Sequence, residues 1–157
     1  MKIASAFAIG WMALCGTTVP VLAAEDMHKL VTPGDVKWGP GPKVLPPGAQ
    51  AAVLFGDPAK EGLFALRLKL PPGYAVPPHT HPVDEVVTVV SGTFNLGMGE
   101  TADDSSLTAL PAGSFFALAP GTPHYAHVDD EAVIQITTMG PWGIKYVNPA
   151  DDPRKTQ

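Results

Sequence analysis

The chain has 157 residues, of which 45% are hydrophobic, and its 10 Lys and Arg against 15 Asp and Glu give a formal net charge of −5. This length predicts one domain with a sizeable core, and the scattered basic residues exclude the charged stripe that binds nucleic acid or anionic lipid. The 18 Pro and 16 Gly, without a short-period repeat, are typical of a turn-rich globular protein rather than of collagen or a disordered chain. An all-β fold is therefore the favoured class.

Residues 1–23 have the pattern of a secretory signal. A positively charged start precedes an apolar segment over residues 3–14 that is too short to span a bilayer, and Val21-Leu22-Ala23 places small residues before a cleavage site. We expect cleavage after Ala23, a periplasmic or secreted protein, and no membrane association of the mature chain. Cleavage would remove Cys15, the only cysteine, so no disulfide is expected.

Residues 24–50 are so rich in Pro and Gly that they cannot sustain a helix or a central strand. We interpret them as an extended N-terminal arm with little core of its own to join. Such an arm could cover the sheet edge of a neighbouring subunit, which predicts a homodimer. The polar residues 148–157 are expected to form a loose C-terminal tail.

Between residues 51 and 147, short runs of β-type residues alternate with Gly and Pro turn signals, and no stretch of ten residues at helical period is free of Gly and Pro. This spacing predicts a β-barrel or sandwich over 51–147. The candidate strands are Ala51–Phe55, Leu63–Leu70, Glu85–Val90, Thr93–Met98, Leu107–Leu110, Ser114–Leu118, His124–Val128, Val133–Thr138 and Ile144–Val147.

Four residues form a candidate metal site. His79 and His81 stand two apart, so on a strand both point to the same face, and Glu85 adds a carboxylate. His124 lies in a second turn-to-strand segment that must fold back to complete the set. Three nitrogens and one oxygen suit one divalent transition metal per chain (Fe, Mn, Ni, Cu or Zn), because Mg²⁺ and Ca²⁺ would require more oxygen ligands.

These residues resemble the two sequence motifs of the cupin superfamily. The first motif is Gly, five residues, His-x-His, three or four residues, Glu, six residues, Gly, and it matches Gly73-YAVPP-His79-Thr80-His81-PVD-Glu85-VVTVVS-Gly92 at every fixed position. The second resembles Gly113-SFFALAP-Gly121-TP-His124. Two departures, a proline one place late at Pro120 and Val128 in place of the terminal Asn, remove no ligand.

The resemblance implies a double-stranded β-helix, a small jelly-roll barrel, with the metal inside its mouth and His79, His81, Glu85 and His124 as ligands. It also implies sharp turns at the motif glycines Gly73, Gly92 and Gly113, where glycine carries no φ penalty. The alternative is a cupin that has lost its metal, which three imidazoles at these spacings disfavour.

Strand alternation assigns roles to the neighbouring side chains. His127 is three residues after His124 and faces the opposite side of the strand, as does Tyr125, so neither is expected to bind the metal. A set of apolar residues could line a pocket above the metal. They are Phe64, Leu66, Leu68, Phe94, Leu96, Phe116, Met139 and Trp142.

Two classes of function fit this pattern. In the first, the protein is a metal-dependent enzyme acting on a small oxygen-bearing organic molecule, with dioxygenase-like oxidation favoured, isomerase or lyase chemistry possible, and Glu85 as ligand or general base. In the second, the same pocket binds a small molecule or metal without catalysis. A blue-copper electron carrier is excluded because the mature chain has no cysteine thiolate.

Overall fold

The computed structural model describes residues 28–155. Within them, eleven β-strands and four short 3-10 turns make up the regular structure. The strands are β1 (Gly39–Pro40), β2 (Gln50–Phe55), β3 (Gly62–Leu70), β4 (Ala75–Thr80), β5 (Glu85–Ser91), β6 (Thr93–Met98), β7 (Thr108–Pro111), β8 (Phe115–Leu118), β9 (His124–His127), β10 (Ala132–Gly140) and β11 (Lys145–Tyr146). The turns are Pro33–Asp35, Asp104–Ser106, Pro149–Asp151 and Pro153–Lys155. The all-β class is confirmed.

The strands form two antiparallel sheets. The first has the order β1-β2-β3-β10-β5-β8, and the second has the order β11-β4-β9-β6-β7. The long pair β3 and β10 runs in unbroken register from Gly62 opposite Gly140 to Leu70 opposite Ala132. Because side chains alternate along a strand, each sheet has one face toward the shared interior and one face outward.

The hydrophobic core lies between the sheets. Along β3 the even-numbered residues Phe64, Leu66, Leu68 and Leu70 are buried, whereas the odd-numbered residues between them are only partly so. Facing strands contribute in the same alternating way. Their core residues are Val76, Val87, Val89, Phe94, Leu96, Ala126, Ile134 and Ile136. The predicted alternation of buried and outward side chains is therefore what builds the barrel.

Strand β4, which carries His79, was not predicted because Pro77 and Pro78 cannot donate ladder hydrogen bonds. The strand nevertheless pairs with β9 on one side and β11 on the other. The register with β9 shifts between Val76 and His79, so the two prolines lie in a bulge. Bulges accommodate proline and redirect the side chains that follow it, here toward the barrel interior.

The predicted turn glycines are confirmed. Gly73, Gly92 and Gly113 have φ values of 72°, 74° and 89°, in the left-handed region. Gly92, between β5 and β6, also has no room for a side chain, since a Cβ there would lie 2.4 Å from the Glu131 carbonyl oxygen. Its backbone conformation and its close contact both require glycine.

The described part of the arm packs on its own barrel. Val36, Leu45 and Ala49 are buried, and the Tyr146 hydroxyl donates a hydrogen bond to the Val44 carbonyl at 2.8 Å. The Tyr74 hydroxyl donates a second one to the carbonyl of Pro46. The expectation that the arm has little core to join is wrong, because Leu45 and Ala49 are part of the core itself.

Residues 148–155 are more ordered than their polarity suggests: Pro153 is buried, and Asp152 forms an ion pair with Arg154 at 2.7 Å. Residues 1–23 lie outside the described part of the chain, so the secretory signal stays a prediction. No helix in the described range is long and apolar enough to cross a membrane.

Candidate metal centre

Pairing of β4 with β9 places His79 directly opposite His124. Their ring centroids are 4.2 Å apart. His81 follows the last residue of β4, with its ring 5.0 Å from that of His79 and 5.2 Å from that of His124. One ring nitrogen from each of the three buried histidines lies within 4.8 Å of the others. The predicted convergence of the three imidazoles is therefore confirmed.

Backbone carbonyls determine which nitrogen of each ring is free. The Nδ1 atoms of His79, His81 and His124 lie 2.8, 2.7 and 3.0 Å from the carbonyl oxygens of Pro77, Gly143 and Thr122, respectively. A carbonyl oxygen can only accept, so each Nδ1 carries the proton, and each neutral ring has its lone pair on Nε2. This is the tautomer that a metal-binding histidine needs, held by the hydrogen bond that usually accompanies such ligands.

Glu85, the first residue of β5, is buried beside this cluster. Its Oε2 lies 2.9 Å from His124 Nε2, and its Oε1 lies 3.4 Å from His81 Nε2. A carboxylate oxygen and a neutral Nε2 are both acceptors, so a proton or a cation must lie between them. His81 Nε2 is buried without a hydrogen-bond donor, and Glu85 Oε2 can receive a proton only from the neighbouring His124 imidazole; this fits a donor set arranged for a cation.

The pKa directions describe the cluster without a metal. Burial, with the charges of His124 and His81, lowers the pKa of His79 to about 3. Burial also lowers the pKa of His81, although the negative charge of Glu85 acts in the opposite direction. At His124, burial favours the neutral ring, but the hydrogen bond and charge of Glu85 outweigh it and raise the pKa. His124 is therefore the imidazole that shares a proton with Glu85.

The pKa of Glu85 is lowered although burial alone would raise it. The hydrogen bond from His124 and the charges of the three imidazoles together outweigh desolvation. At neutral pH the site thus offers one anionic oxygen and imidazole nitrogens, a combination suited to a divalent transition metal. The carboxylate contacts His81 and His124 and lies to one side of the triad. Its role as a fourth ligand remains a prediction.

A cavity of about 30 Å³ adjoins the four polar side chains. Because one water needs ~10–15 Å³ on this measure, the space accommodates an ion with one or two small ligands. The rest of its wall is apolar. The apolar lining residues are Leu45, Leu68, Leu70, Val76, Phe94, Ala126, Ile134, Ile136, Trp142 and Ile144.

Three of the predicted pocket residues, Leu68, Phe94 and Trp142, line this cavity. Phe64, Leu66 and Leu96 belong to the surrounding core instead. Phe116 is partly buried and stacks on Phe94 with ring centroids 5.7 Å apart. Met139 faces outward with 55% of its surface exposed; its place in the alternation of β10 puts its side chain on the outer face.

The alternation along β9 is confirmed. His124, Tyr125, Ala126 and His127 pair one by one with successive residues of β6, without a bulge. His127 is partly exposed and lies 3.5 Å from Asp129, away from the triad. The Tyr125 hydroxyl accepts from the amide and donates to the carbonyl of Asp103. Neither His127 nor Tyr125 lines the cavity.

Sequence reasoning missed the Gly143 carbonyl, which holds His81 from a position 62 residues further along the chain. It also missed the role of Leu45, an arm residue that lines the cavity. Neither carries a local signal, because a carbonyl is common to every residue and an apolar side chain in a Pro-rich arm predicts no partner. The nearest sequence signal, Gly140-Pro141, predicts only a turn at that point of the chain.

Comparison with known proteins identifies the domain. The family described as "Cupin domain" matches residues 66–139. Germin-like protein subfamily 2 member 1 of Arabidopsis thaliana is 32% identical over 111 residues, 70% of this chain and 43% of that protein. Germin-like protein 3-1 of Oryza sativa subsp. japonica is 30% identical over 128 residues, 77% of this chain and 55% of that protein.

Among solved structures, the polyketide cyclase RemF from Streptomyces resistomycificus aligns with a TM-score of 0.62 at 20% identity, covering 82% of this chain and 92% of that chain. This likeness concerns the fold and confirms the double-stranded β-helix. The chain spans about half the length of the germin-like relatives it matches. The match to the cupin family and the buried three-histidine cluster together support a proposal about function.

Proposed function

Because this chain belongs to the cupin superfamily, we propose that it is a metal-dependent enzyme acting on a small oxygen-bearing organic molecule. One divalent transition metal would be held by His79, His81, His124 and Glu85. The observation that carries the proposal is the convergence of three Nε2 lone pairs and a carboxylate on one small cavity with an otherwise apolar wall. An arrangement maintained only for packing would leave these buried acceptors uncompensated.

The chain's own residues have separable tasks in this proposal. The three backbone-anchored histidines orient the donor atoms, and the apolar wall of the cavity excludes water. Among the described residues, Glu85 is the one carboxylate at this cavity, so it would either stay bound to the metal or, once released from it, accept or return a proton at a carboxylate oxygen. The metal, when bound, would act as a Lewis acid toward an oxygen of the substrate.

Dioxygenase-type oxidation is the reaction we favour, in which the organic molecule and O₂ would both enter this water-poor chamber. Isomerase and lyase reactions use the same donor set and remain alternatives. The small size of the cavity supports a compact, oxygen-bearing reacting group. It provides no space for a large substrate to be buried whole.

A non-catalytic binding protein is the second candidate, and one observation favours it. Leu45, carried by the arm, forms part of the wall of the cavity, whose volume of about 30 Å³ suits an ion and little more. A site of this kind could retain a metal without turning over a substrate. The two candidate functions differ in whether a coordination position on the metal is open, so that water there can be exchanged for substrate.

The test is metal analysis followed by O₂ uptake over a panel of diols, enols and β-dicarbonyl compounds. The wild type should retain about one transition metal per chain and consume O₂ with at least one compound. His124→Ala should lose both properties, whereas His127→Ala, an outward-facing control on the same strand, should keep both. A metal-loaded wild type that changes no compound would favour the binding protein.

Export and dimerisation are further proposals. The signal pattern supports a mature protein that begins at Ala24 in the periplasm or medium, and mass spectrometry of the exported protein should show that N-terminus. A retained Met1 would contradict it. Light scattering at micromolar concentration tests the homodimer. The arm no longer supports that proposal, because residues 36–50 pack on their own barrel.

A further inference from the structure

Of the three histidines, only His81 is held by a distant segment of the chain. His79 and His124 bond to carbonyls two residues earlier, whereas the Nδ1 of His81 donates to the Gly143 carbonyl at 2.7 Å. The adjacent Trp142 stacks on the same imidazole, with ring centroids 5.3 Å apart and planes 21° from parallel. Both groups lie between β10 and β11, beyond residues 66–139 that match the family.

This segment is firmly anchored. The backbone amide of Trp142 donates to the Pro58 carbonyl at 2.7 Å, and Ile144 is buried in the core. Immediately after it, Lys145 and Tyr146 pair with Thr80 and His79 of β4. The backbone that carries the indole is therefore anchored on both sides of Trp142, which places the ring beside His81.

We propose that Trp142 is a positioning residue for His81, and this inference rests on the proposed metal site. The indole face fixes the plane of the imidazole, while the Gly143 carbonyl fixes its tautomer. When a divalent cation binds, positive charge spreads onto the imidazole, and the electron-rich indole face stabilises it there. Stacking thus favours the metal-bound state over the metal-free state.

A purely space-filling role would have different requirements. Trp142 also borders a surface groove formed with arm residues such as Pro42 and Val44, so a bulky apolar side chain is useful there in any case. Leucine could supply bulk but has no flat π face. Phenylalanine supplies a flat face with less bulk. The pair Trp142→Phe and Trp142→Leu therefore separates ring stacking from filling.

The experiment uses the mature chain loaded with Co²⁺, and the rate of metal loss into excess chelator is measured together with the visible absorption of the bound ion. Trp142→Leu should release Co²⁺ ten- to a hundredfold faster, the range typical of lost support around a ligating histidine. Trp142→Phe should remain within about threefold of the wild type. Trp38→Leu is the control, since Trp38 stacks under Lys69 and does not line the cavity.

Equal release rates for Trp142→Leu and the wild type would overturn the proposal, as would equal acceleration in the Phe and Leu variants. Circular dichroism of each metal-free variant checks folding, and a misfolded Leu variant would be replaced by Trp142→Met. Failure of the metal site is distinguishable: if the wild type binds no Co²⁺, the orientation of the His81 ring is followed instead, by the NOEs between its ring protons and those of His79 and His124. Loss of these NOEs in Trp142→Leu, but not in Trp142→Phe, would support positioning; unchanged NOEs in both variants would overturn it.

Discussion

Glu85 Oε2 and His124 Nε2 lie 2.9 Å apart inside the barrel, although one begins β5 and the other begins β9 in the opposite sheet. Both atoms are buried acceptors when the imidazole is neutral, so their approach requires a proton or a cation. This pair explains why the His124 pKa is raised while those of His79 and His81 are lowered.

Replacing His124 by Ala should remove a donor from the triad and reduce metal occupancy at least tenfold, because three ligands cannot hold the ion as four do. Elemental analysis after dialysis against a weak chelator measures this. The matched variant His127→Ala should retain wild-type occupancy, since its partly exposed ring faces Asp129. Equal losses in two folded variants would require a different ligand set.

Glu85→Gln should weaken metal binding less than the loss of an imidazole, because the amide keeps the shape and an oxygen donor but loses the charge. Any turnover that requires the carboxylate to take a proton should be abolished.

In the metal-free Glu85→Gln protein, the pKa of His124 should fall, because the hydrogen bond and charge of Glu85 raise it in the wild type. NMR titration of the His124 ring checks this shift; an unchanged titration would contradict the pairing. Asp84→Asn, at the neighbouring exposed residue, is the control.

The metal-free protein should lose stability on acidification below about pH 6.5. Burial lowers the pKa of folded His79 to about 3, so between these values the unfolded chain binds more protons than the folded chain. The free energy of unfolding should therefore fall as pH falls, by up to about 1.4 kcal/mol per pH unit for this residue. Urea unfolding at pH 7, 6, 5 and 4 measures the slope. A folded His79→Gln variant should show a shallower decline, and identical slopes would refute this role of His79.

Tyr146→Phe should destabilise the folded chain by about 1 kcal/mol, because the Val44 carbonyl loses the hydrogen bond that joins the arm to the barrel. Thermal and urea unfolding of the metal-free protein measure the change. Phe115→Leu alters a side chain that is 62% exposed and should remain within about 0.5 kcal/mol of the wild type. A neutral Tyr146→Phe substitution would mean that the arm contributes little at this contact.

The fold class and the set of three histidines could be predicted from the amino-acid sequence alone. Alternating β-type residues between Gly and Pro turns predicted most strands, and the spacing of His79 and His81 predicted a shared direction for their rings. These features depend on local periodicity, on glycines such as Gly92 at positive φ, and on motif spacing. Each of them is a local pattern or a motif of regular spacing, so it can be recognised without knowledge of the tertiary structure.

The groups that support the site could not be predicted, because they come from segments that are distant in the sequence. Strand β4 could not be predicted from the sequence, because Pro77 and Pro78 lack the amide hydrogen that a strand normally uses. The structure accommodates both prolines in a bulge. The Gly143 carbonyl and the Trp142 ring reach His81 from more than sixty residues away in the chain, and Leu45 reaches the cavity from the arm. Such contacts depend on which segments the two sheets bring together. A carbonyl group or an apolar side chain in isolation does not encode its distant partner.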